Sequence, residues 1–279
     1  MRENVSTLEN VPLANFCTYH TGGKVKALKI VYDVRGLKET AVGDYAVIGC
    51  GSKLLISDSG YDGTVILMRI SGMKLTDGGV YAYAGVPLPA LARYCEGNGM
   101  GGLEWACGIP GSVGGALKLN AGAFGKSMSD VITRVDVLVG GNIVSLEPHE
   151  LGLGYRTSNF SGVVVGAEFR CGREKRETLA DRRKDYFLAR RAAQPRGFSC
   201  GSVFRNADKP AGYYIEQAGL KGLTQGGAMI SEKHANFIVN TGFATSRDVF
   251  TLIRTAKADV KSRFGVSLKE EVIYLGDFY

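Results

Sequence analysis

The stretch GIPGSVGGALKLNAGAFG, residues 108–125, is the most informative part of this sequence. It holds six glycines in 18 residues, and Pro110 fixes one of its turns. Glycine allows a backbone to approach a ligand closely, while Ser112 and Asn120 add hydrogen-bonding groups without charge. The pattern suits a flat ligand with polar edges, such as a flavin and its diphosphate; the alternative is a structural crossover loop. Across residues 97–125, ten glycines in 29 residues predict loops rather than a packed helix.

A second glycine-rich segment, GCGSKLL at residues 49–55, follows a predicted strand. Consecutive backbone N–H groups in such a turn form a concavity that binds phosphate or pyrophosphate, although a plain turn is the alternative. The segment does not fit the dinucleotide fingerprint G-x-G-x-x-G, because Leu54 occupies the position of the third glycine. A Rossmann fold is therefore disfavoured.

Strand and helix patterns alternate along the chain and predict an α+β protein. The predicted strands are Val25–Tyr32, Tyr45–Ile48, Val65–Leu67, Val80–Ala84, Val131–Val139, Ile143–Leu146, Val163–Arg170 and Glu271–Leu275. The predicted helices are residues 35–43, Leu88–Glu96 with Gly97 as its cap, Thr178–Ala193 ending before Pro195, and Ser246–Phe264 between a Thr245–Asp248 capping box and Gly265.

The composition of the chain favours some functional classes of protein and disfavours others. The 279 residues carry a net charge of +7, which suits a basic solvated surface or a polyanionic partner, either nucleic acid or a phosphorylated small molecule. The densest basic run, around Arg182 and Arg190, is interrupted by acidic residues and indicates a solvated helix face rather than a nucleic-acid arm. The six cysteines form no C-x-x-C pair, which disfavours a zinc or thioredoxin-like centre, so no metal is expected. No signal-peptide or membrane-spanning run is apparent, and a cytoplasmic protein is expected.

Together the two glycine-rich segments resemble the flavin-binding motifs of UDP-N-acetylenolpyruvoylglucosamine reductases. Further motifs resemble the same family in the same order along residues 10–276: YRTS at 155–158, QP at 194–195 with GSVFRN at 201–206, IEQAGLKG at 215–222, GGAMISEKHANF at 226–237 and LKEEV at 268–272. The length resembles the shorter class, which lacks a tyrosine-bearing substrate loop.

The resemblance implies a vanillyl-alcohol-oxidase-type FAD-binding fold of two α+β parts, residues 1–67 and 68–173, plus a C-terminal α+β substrate domain at 174–279. The last strand, residues 268–279, is expected to return towards the active site. The implied reaction is the NADPH-dependent reduction of UDP-N-acetylglucosamine enolpyruvate to UDP-N-acetylmuramate, a cytoplasmic step of peptidoglycan precursor synthesis. FAD is the implied bound cofactor and NADPH the cosubstrate.

The resemblance also implies catalytic residues. Hydride reaches the vinyl carbon distal to the ether, and negative charge develops beside the substrate carboxylate. Arg156 is expected to hold that carboxylate and the growing enolate. Ser202 is expected to protonate C2 as an acid, which needs no activating histidine. Glu271 is expected to be a supporting acid, and the L-x-x-E-V register selects it over Glu270, which is expected to face solvent.

The resemblance extends to binding residues. The implied cofactor contacts are Gly49, Cys50, Gly51, Ser52, Lys53, Leu54, Leu55, Pro110, Gly111, Ser112, Val113, Gly114, Gly115, Asn120, Ala121 and Gly122. The implied substrate contacts are Tyr155, Asn206, Lys221 and His234. The chain departs from the usual family residues at Lys53 (usually Asn), Phe124 (Tyr), Cys200 (Ala), Arg205 (Lys) and Met229 (Gln).

Three alternative functions fit these motifs less well. Another FAD-linked oxidoreductase of the same superfamily would not need Ser202, Arg156 and Glu271 together, and a non-catalytic nucleotide-binding paralogue would not need to keep them. A nucleic-acid binder would need a clustered basic stripe with aromatic residues. The expected partners are therefore the two small-molecule substrates, with no nucleic acid or membrane, and the expected state is a monomer.

Overall fold

The computed structural model describes residues 4–278, which divide into two compact units. The first unit comprises the chain up to Leu8, Leu28–Cys50 and Thr64–Arg190. The second unit comprises Glu9–Ala27, Gly51–Gly63 and the chain from Arg191 onward. The division into parts at 1–67, 68–173 and 174–279 stays a prediction.

The strands of the described residues are β1 (Val5–Pro12), β2 (Lys24–Val31), β3 (Tyr45–Ile48), β4 (Leu54–Ile56), β5 (Tyr61–Met68), β6 (Met73–Thr76), β7 (Gly79–Tyr83), β8 (Met100–Gly101), β9 (Gly122–Ala123), β10 (Lys126–Ser127), β11 (Ile132–Val139), β12 (Asn142–Leu146), β13 (Val163–Arg170), β14 (Gly172–Arg173), β15 (Thr224–Gln225), β16 (Ala228–Ile230), β17 (Ile238–Asn240) and β18 (Ile273–Leu275). The helices are α1 (Val34–Thr40), α2 (Leu88–Gly97), α3 (Val113–Lys118), α4 (Arg176–Ala193), α5 (Ala211–Gln217) and α6 (Ser246–Phe264). Short 3-10 turns occupy Leu13–Phe16, Glu104–Gly108, Met128–Asp130 and Pro148–Leu151.

The main sheet of the first unit is antiparallel, with the strand order β12-β11-β13-β7-β6. Its inner positions, such as Val80, Val135 and Phe169, are fully buried and share one apolar core with residues of α2 and α3. The hairpin β11–β12 is confirmed: Gly140 and Gly141 both have positive φ, as a two-residue turn matching the strand twist requires. β3 pairs in parallel with β5 at the edge of a second sheet, of order β1-β2-β5-β3.

The second unit has a three-stranded antiparallel sheet, β15-β16-β17, covered by α6. The bounds predicted for α6 are confirmed. The Thr245 side chain accepts the Asp248 N–H, and the Asp248 carboxylate accepts the Thr245 N–H. Gly265 ends the helix in the left-handed conformation. A separate parallel pair joins β18 to β4, with Ile273 opposite Leu54. This pair brings the C-terminal strand beside the turn that precedes β4.

Several details of the predicted elements differ from the structure. A short helix, α3, forms inside the stretch predicted to be loop, because the Ser112 side chain caps it by accepting the Gly115 N–H. Gly97 is the last residue of α2 rather than its cap, and Asn98 takes the cap position. The last strand begins at Ile273, so Glu271 lies before it.

Candidate active site

The two glycine-rich segments meet in the first unit at Gly49, directly after β3. A Cβ atom at Gly49 would overlap the hydroxyl of Ser112, so only glycine allows this approach. Arg69 Nη1 donates to the Gly49 carbonyl over 3.4 Å. A turn lined by backbone, with an arginine beside it, fits the diphosphate of a flavin nucleotide. The residues present thus agree with the cofactor that the sequence predicts.

The start of α3 shows a different use of glycine. The Val113 N–H donates to the Val86 carbonyl, and the Gly114 N–H donates to the Ala84 carbonyl, both at 2.9 Å. A Cβ atom at Gly114 would lie 3.1 Å from the Cβ of Ala84. Gly114 therefore allows the helix to pack closely on the end of β7. The cofactor contacts of Val113 and Gly114 stay predictions.

The end of the same stretch is held by side-chain hydrogen bonds within the first unit. The Asn120 side chain is buried; its Nδ2 donates to the Gly154 carbonyl at 2.9 Å, and its Oδ1 accepts the Ser129 N–H at 3.0 Å. Arg156 Nη2 donates to the Gly122 carbonyl at 2.6 Å. The predicted cofactor residues Asn120 and Gly122 are thus joined to the predicted catalytic arginine.

Arg156 itself has an unusual backbone. Its φ is +56°, in the left-handed region, and Asn120 and Phe124 share that region at +40° and +55°. Non-glycine residues in this conformation cost free energy and cluster at functional sites. The Arg156 guanidinium also lies 5.3 Å from the ring centre of Tyr155, a predicted substrate residue whose side chain is exposed. The loop therefore presents the arginine and the tyrosine together.

Arg190 is a residue of this region that the sequence interpretation missed. It was assigned to a solvated helix face, but it is only partly exposed and lies against the glycine-rich loop, since a Cβ at Gly108 would contact its Cδ. Burial, together with the nearby charge of Arg156, lowers the pKa of Arg190. Two neighbouring guanidiniums suit an anionic ligand. Helical periodicity alone could not predict that Arg190 is partly buried, because charged residues dominate the sequence of α4.

The second unit holds the other predicted catalytic residues. Gly201 has φ of +75°, which favours glycine, and it places Ser202 in a partly buried turn. The Glu271 N–H donates to the Val203 carbonyl at 2.8 Å, so the backbones of the serine turn and the C-terminal segment are adjacent. Lys53 Nζ lies 2.5 Å from the Ser202 carbonyl oxygen and 2.8 Å from Glu271 Oε2. One ammonium thus contacts both predicted catalytic positions.

The two adjacent glutamates have different partners. Glu271 is buried and pairs with Lys53, whereas Glu270 pairs with Lys257 of α6 at 2.6 Å. The expectation that Glu270 faces solvent is wrong, because its side chain is only 18% exposed within this ion pair. The two carboxylates nevertheless point to different neighbours, as residues next to each other in an extended segment do. Glu270 also forms an isolated β-bridge with Phe204.

The predicted substrate residues of the second unit are spread along it. Asn206 is exposed, and its side chain accepts the backbone N–H at the start of α5 at 3.1 Å. Lys221 pairs with Glu216 at 2.8 Å. His234 is partly buried; burial lowers its pKa, and its Nδ1 accepts a backbone N–H two residues on. These contacts are structural, and the substrate roles stay predictions.

The remaining predicted cofactor residues lie near the two turns. Gly51, at φ of +62°, has no room for a Cβ beside the Phe16 carbonyl, and it belongs to the second unit together with the next four residues. Cys50 and Ser52 lie in the turn after β3, and Leu54 and Leu55 begin β4; the positions in and around α3 are Pro110, Gly111, Gly115 and Ala121. Among the described residues, no group of His, Cys, Asp and Glu is arranged to hold a metal ion.

Comparison with known proteins agrees with both halves of this description. Residues 41–146 match the model of the FAD binding domain, and residues 194–275 match that of the UDP-N-acetylenolpyruvoylglucosamine reductase C-terminal domain. A UDP-N-acetylenolpyruvoylglucosamine reductase of Synechococcus sp. is 42% identical over 96% of this chain and 91% of its own. The chain belongs to this reductase family. A relative from Carboxydothermus hydrogenoformans is also 42% identical, over 97% of this chain and 94% of its own.

A solved reductase structure confirms the fold. The crystal structure of the reductase from Thermus caldophilus is 34% identical, with a TM-score of 0.86, and the match covers 98% of this chain and 99% of that one. The predicted α+β fold with an FAD-binding domain is therefore confirmed, as are the oxidoreductase class, FAD and NADPH. The predicted reaction, reduction of UDP-N-acetylglucosamine enolpyruvate in peptidoglycan precursor synthesis, is confirmed with the family. No helix among residues 4–278 has the length and apolar character to cross a membrane.

Proposed function

We propose that Ser202, Arg156 and Glu271 carry out the substrate-side chemistry of this reductase. The observation that supports the proposal most strongly is the ammonium of Lys53, which contacts both the Ser202 carbonyl and the Glu271 carboxylate. Residues 202 and 271 come from distant parts of the sequence, and the fold places them around one group in the second unit. When bound and reduced by NADPH, the flavin would supply the hydride for the enolpyruvyl ether, and the residues of the chain would handle the charge and the proton.

Ser202 acts as the proton donor to C2. A serine hydroxyl is a weak acid, but the carbon that it protonates becomes strongly basic as negative charge develops beside the carboxylate. Gly201 leaves space on one side of Ser202, since the heavy atom nearest to a Cβ built there is Lys53 Nζ at 3.8 Å. Hydrogen bonds at the backbone of Ser202 and Val203 fix the main chain that carries the hydroxyl, and such positioning favours a directed proton transfer.

Arg156 holds the substrate carboxylate and the developing enolate. Its guanidinium presents several N–H donors in one plane, and the Gly122 carbonyl fixes that plane at 2.6 Å. A fixed cation aimed at a developing negative charge stabilises the transition state more than the ground state. The left-handed backbone of the residue, at φ of +56°, sets the direction of the side chain.

The Arg156→Lys variant tests whether Arg156 holds the substrate carboxylate. Lysine keeps the positive charge but loses the planar fork, so turnover should fall by about 10²-fold or more, the usual cost of removing one preorganised donor. FAD content, measured by the absorbance of the purified protein, should be unchanged. Turnover within about twofold of wild type would show that Arg156 does not hold the substrate carboxylate.

Arg134→Lys is the matched control. Arg134 is an exposed arginine of β11 in the same unit, where it pairs with Asp136 and Glu168. An exposed ion pair contributes about 0–1 kcal/mol, so this variant should turn over as fast as the wild type. A similar loss in both variants would show that any arginine change in the first unit impairs the enzyme.

Three further properties belong to the proposal. The roles of Tyr155, Asn206, Lys221 and His234 in binding the nucleotide are inferred from the family motifs. The protein is proposed to act in the cytoplasm, which is consistent with its six free cysteines. It is proposed to be a monomer, and sedimentation at micromolar concentration tests this, because a dimer would sediment with twice the mass.

A further inference from the structure

Lys53 occupies a turn that the sequence assigns to phosphate binding. It directly precedes β4, and its carbonyl accepts the Ile273 N–H at 2.8 Å, next to the parallel pair of β4 and β18. The backbone on its other side is also fixed, since the Gly51 carbonyl accepts the Thr18 N–H at 3.2 Å. The position of Lys53 relative to the C-terminal segment is therefore set by main-chain hydrogen bonds.

The side chain of Lys53 points towards two oxygen atoms of the second unit. Its Nζ lies 2.8 Å from Glu271 Oε2 and 2.5 Å from the Ser202 carbonyl oxygen. The Lys53 side chain is 22% exposed and that of Glu271 is 7% exposed. An ammonium taken largely out of water needs such acceptors for its three donors. The charge of Lys53 is thus directed to the residues proposed to handle the proton.

The groups beside this pair do not compete for its charge. Cys200 precedes Gly201 and its thiol contacts the Tyr19 hydroxyl at 3.3 Å. Burial raises the pKa of Cys200 and that of Tyr19, so both groups are neutral at ordinary pH. Glu271 is then the carboxylate that offsets the charge of Lys53.

The neighbouring pair, Lys257 with Glu270, provides a contrast. It has the same chemistry at 2.6 Å, but its lysine is 41% exposed and lies on α6. A lysine that only stabilised the C-terminal segment would be expected to resemble Lys257. Lys53 differs because it joins the carboxylate of Glu271 to the turn that carries Ser202.

We propose that Lys53 is a positioning residue for the reduction, which holds the Glu271 carboxylate and the Ser202 turn in their working arrangement. The inference rests on the roles proposed above for Ser202 and Glu271. It assigns to Lys53 no contact with the reacting atoms.

The test separates the two half-reactions by stopped-flow absorbance of the flavin. Lys53→Met keeps an unbranched side chain, one atom shorter, and removes its charge. Reduction by NADPH should stay within about twofold of wild type. The limiting rate of reoxidation by the enolpyruvyl nucleotide should fall about tenfold, which corresponds to about 1.4 kcal/mol of barrier, while the half-saturating substrate concentration changes little. Equal slowing of both half-reactions would overturn the inference.

A double variant keeps the inference testable if the loss of a partly buried charge prevents Lys53→Met from folding. If Lys53 acts through Glu271, Lys53→Met combined with Glu271→Gln should reoxidise within about twofold of Glu271→Gln alone, because coupled residues are not additive. Multiplied losses would show that Lys53 acts independently and would overturn the proposal. Thermal unfolding of each variant shows separately how far each substitution lowers the stability of the protein.

Two controls distinguish failure of this inference from failure of the proposed function. Lys257→Met removes the matched pair and should leave reoxidation within about twofold of wild type; slowing equal to that in Lys53→Met would overturn a specific role for Lys53. If Glu271→Gln reoxidises at the wild-type rate, the proposed role of Glu271 fails, and this inference fails with it. If Glu271→Gln is slow and Lys53→Met is not, only the inference about Lys53 fails.

Discussion

The glycine-rich stretch of the first unit and the Ser202 turn of the second unit are built in different ways. Around Gly49 and Gly114 the structure depends on missing side chains, since a Cβ would overlap Ser112 or crowd Ala84. Around Ser202 it depends on the charges of Lys53 and Glu271. The two regions should therefore respond to opposite kinds of substitution: the first to added atoms, the second to removed charges and hydroxyls.

The largest expected effect comes from Ser202→Ala, which removes a single hydroxyl from the second region. Flavin reduction by NADPH should stay near normal, while reoxidation by the enolpyruvyl nucleotide should slow by about 10²–10⁴-fold, the usual contribution of a positioned proton donor. Stopped-flow measurement of both half-reactions decides this. Equal slowing of both would mean that the serine has a structural role or binds nicotinamide, and the contrast between the regions would be lost.

Ser267→Ala is the control for that variant. Ser267 is exposed and lies four residues before Glu271, so it shares the C-terminal segment but not the proposed chemistry. Both half-reactions should match those of the wild type. If this change slows reoxidation as well, the segment is sensitive to any substitution.

A smaller effect is expected from Gly49→Ala, which adds one carbon to the first region. The new Cβ would overlap the Ser112 hydroxyl, and overpacking of this kind costs about 1–3 kcal/mol. Chemical denaturation should show that loss, and fluorescence titration should show weaker FAD binding. Unchanged stability and FAD affinity would mean that the backbone there has room to move.

Gly97→Ala is the matched glycine control in the same unit. Gly97 is the last residue of α2, and a Cβ atom there would have open space around it. Replacing a helical glycine by alanine in such a place is expected to stabilise the protein by roughly 0.5–1 kcal/mol. Opposite signs for the two glycine variants would confirm that close approach, and not flexibility, determines the choice at Gly49.

Local signals in the sequence predicted much of the fold. The bounds of α6 follow from a capping box at Thr245 and a left-handed glycine at Gly265, both of which act within one helical turn. β3 and β13 also have the predicted bounds. The helix α3 was missed because two glycines lower its intrinsic propensity, and it is stabilised by carbonyls of Ala84 and Val86 that lie far away in the sequence.

The candidate site was predictable only in part, because its contacts also join residues that are distant in the sequence. Motif resemblance identified Ser202, Arg156 and Glu271 as candidates, but no local pattern predicts that Lys53 pairs with a residue more than 200 positions later. The partner of Glu270 was missed likewise, because the alternation of side chains says which residues face apart and not what they face. Such pairings depend on the tertiary arrangement of β4, β18 and α6.

Comparing Glu271→Gln with Glu270→Gln tests most directly whether Glu271 is the catalytic carboxylate. Both changes keep the shape of the side chain and remove one negative charge from an ion pair with lysine. We expect Glu271→Gln to slow reoxidation of the reduced flavin by at least about tenfold, or about 1.4 kcal/mol of barrier, while Glu270→Gln stays within about twofold. If Glu270→Gln is the slow variant instead, the catalytic carboxylate has been misassigned and the role of Glu271 must be withdrawn.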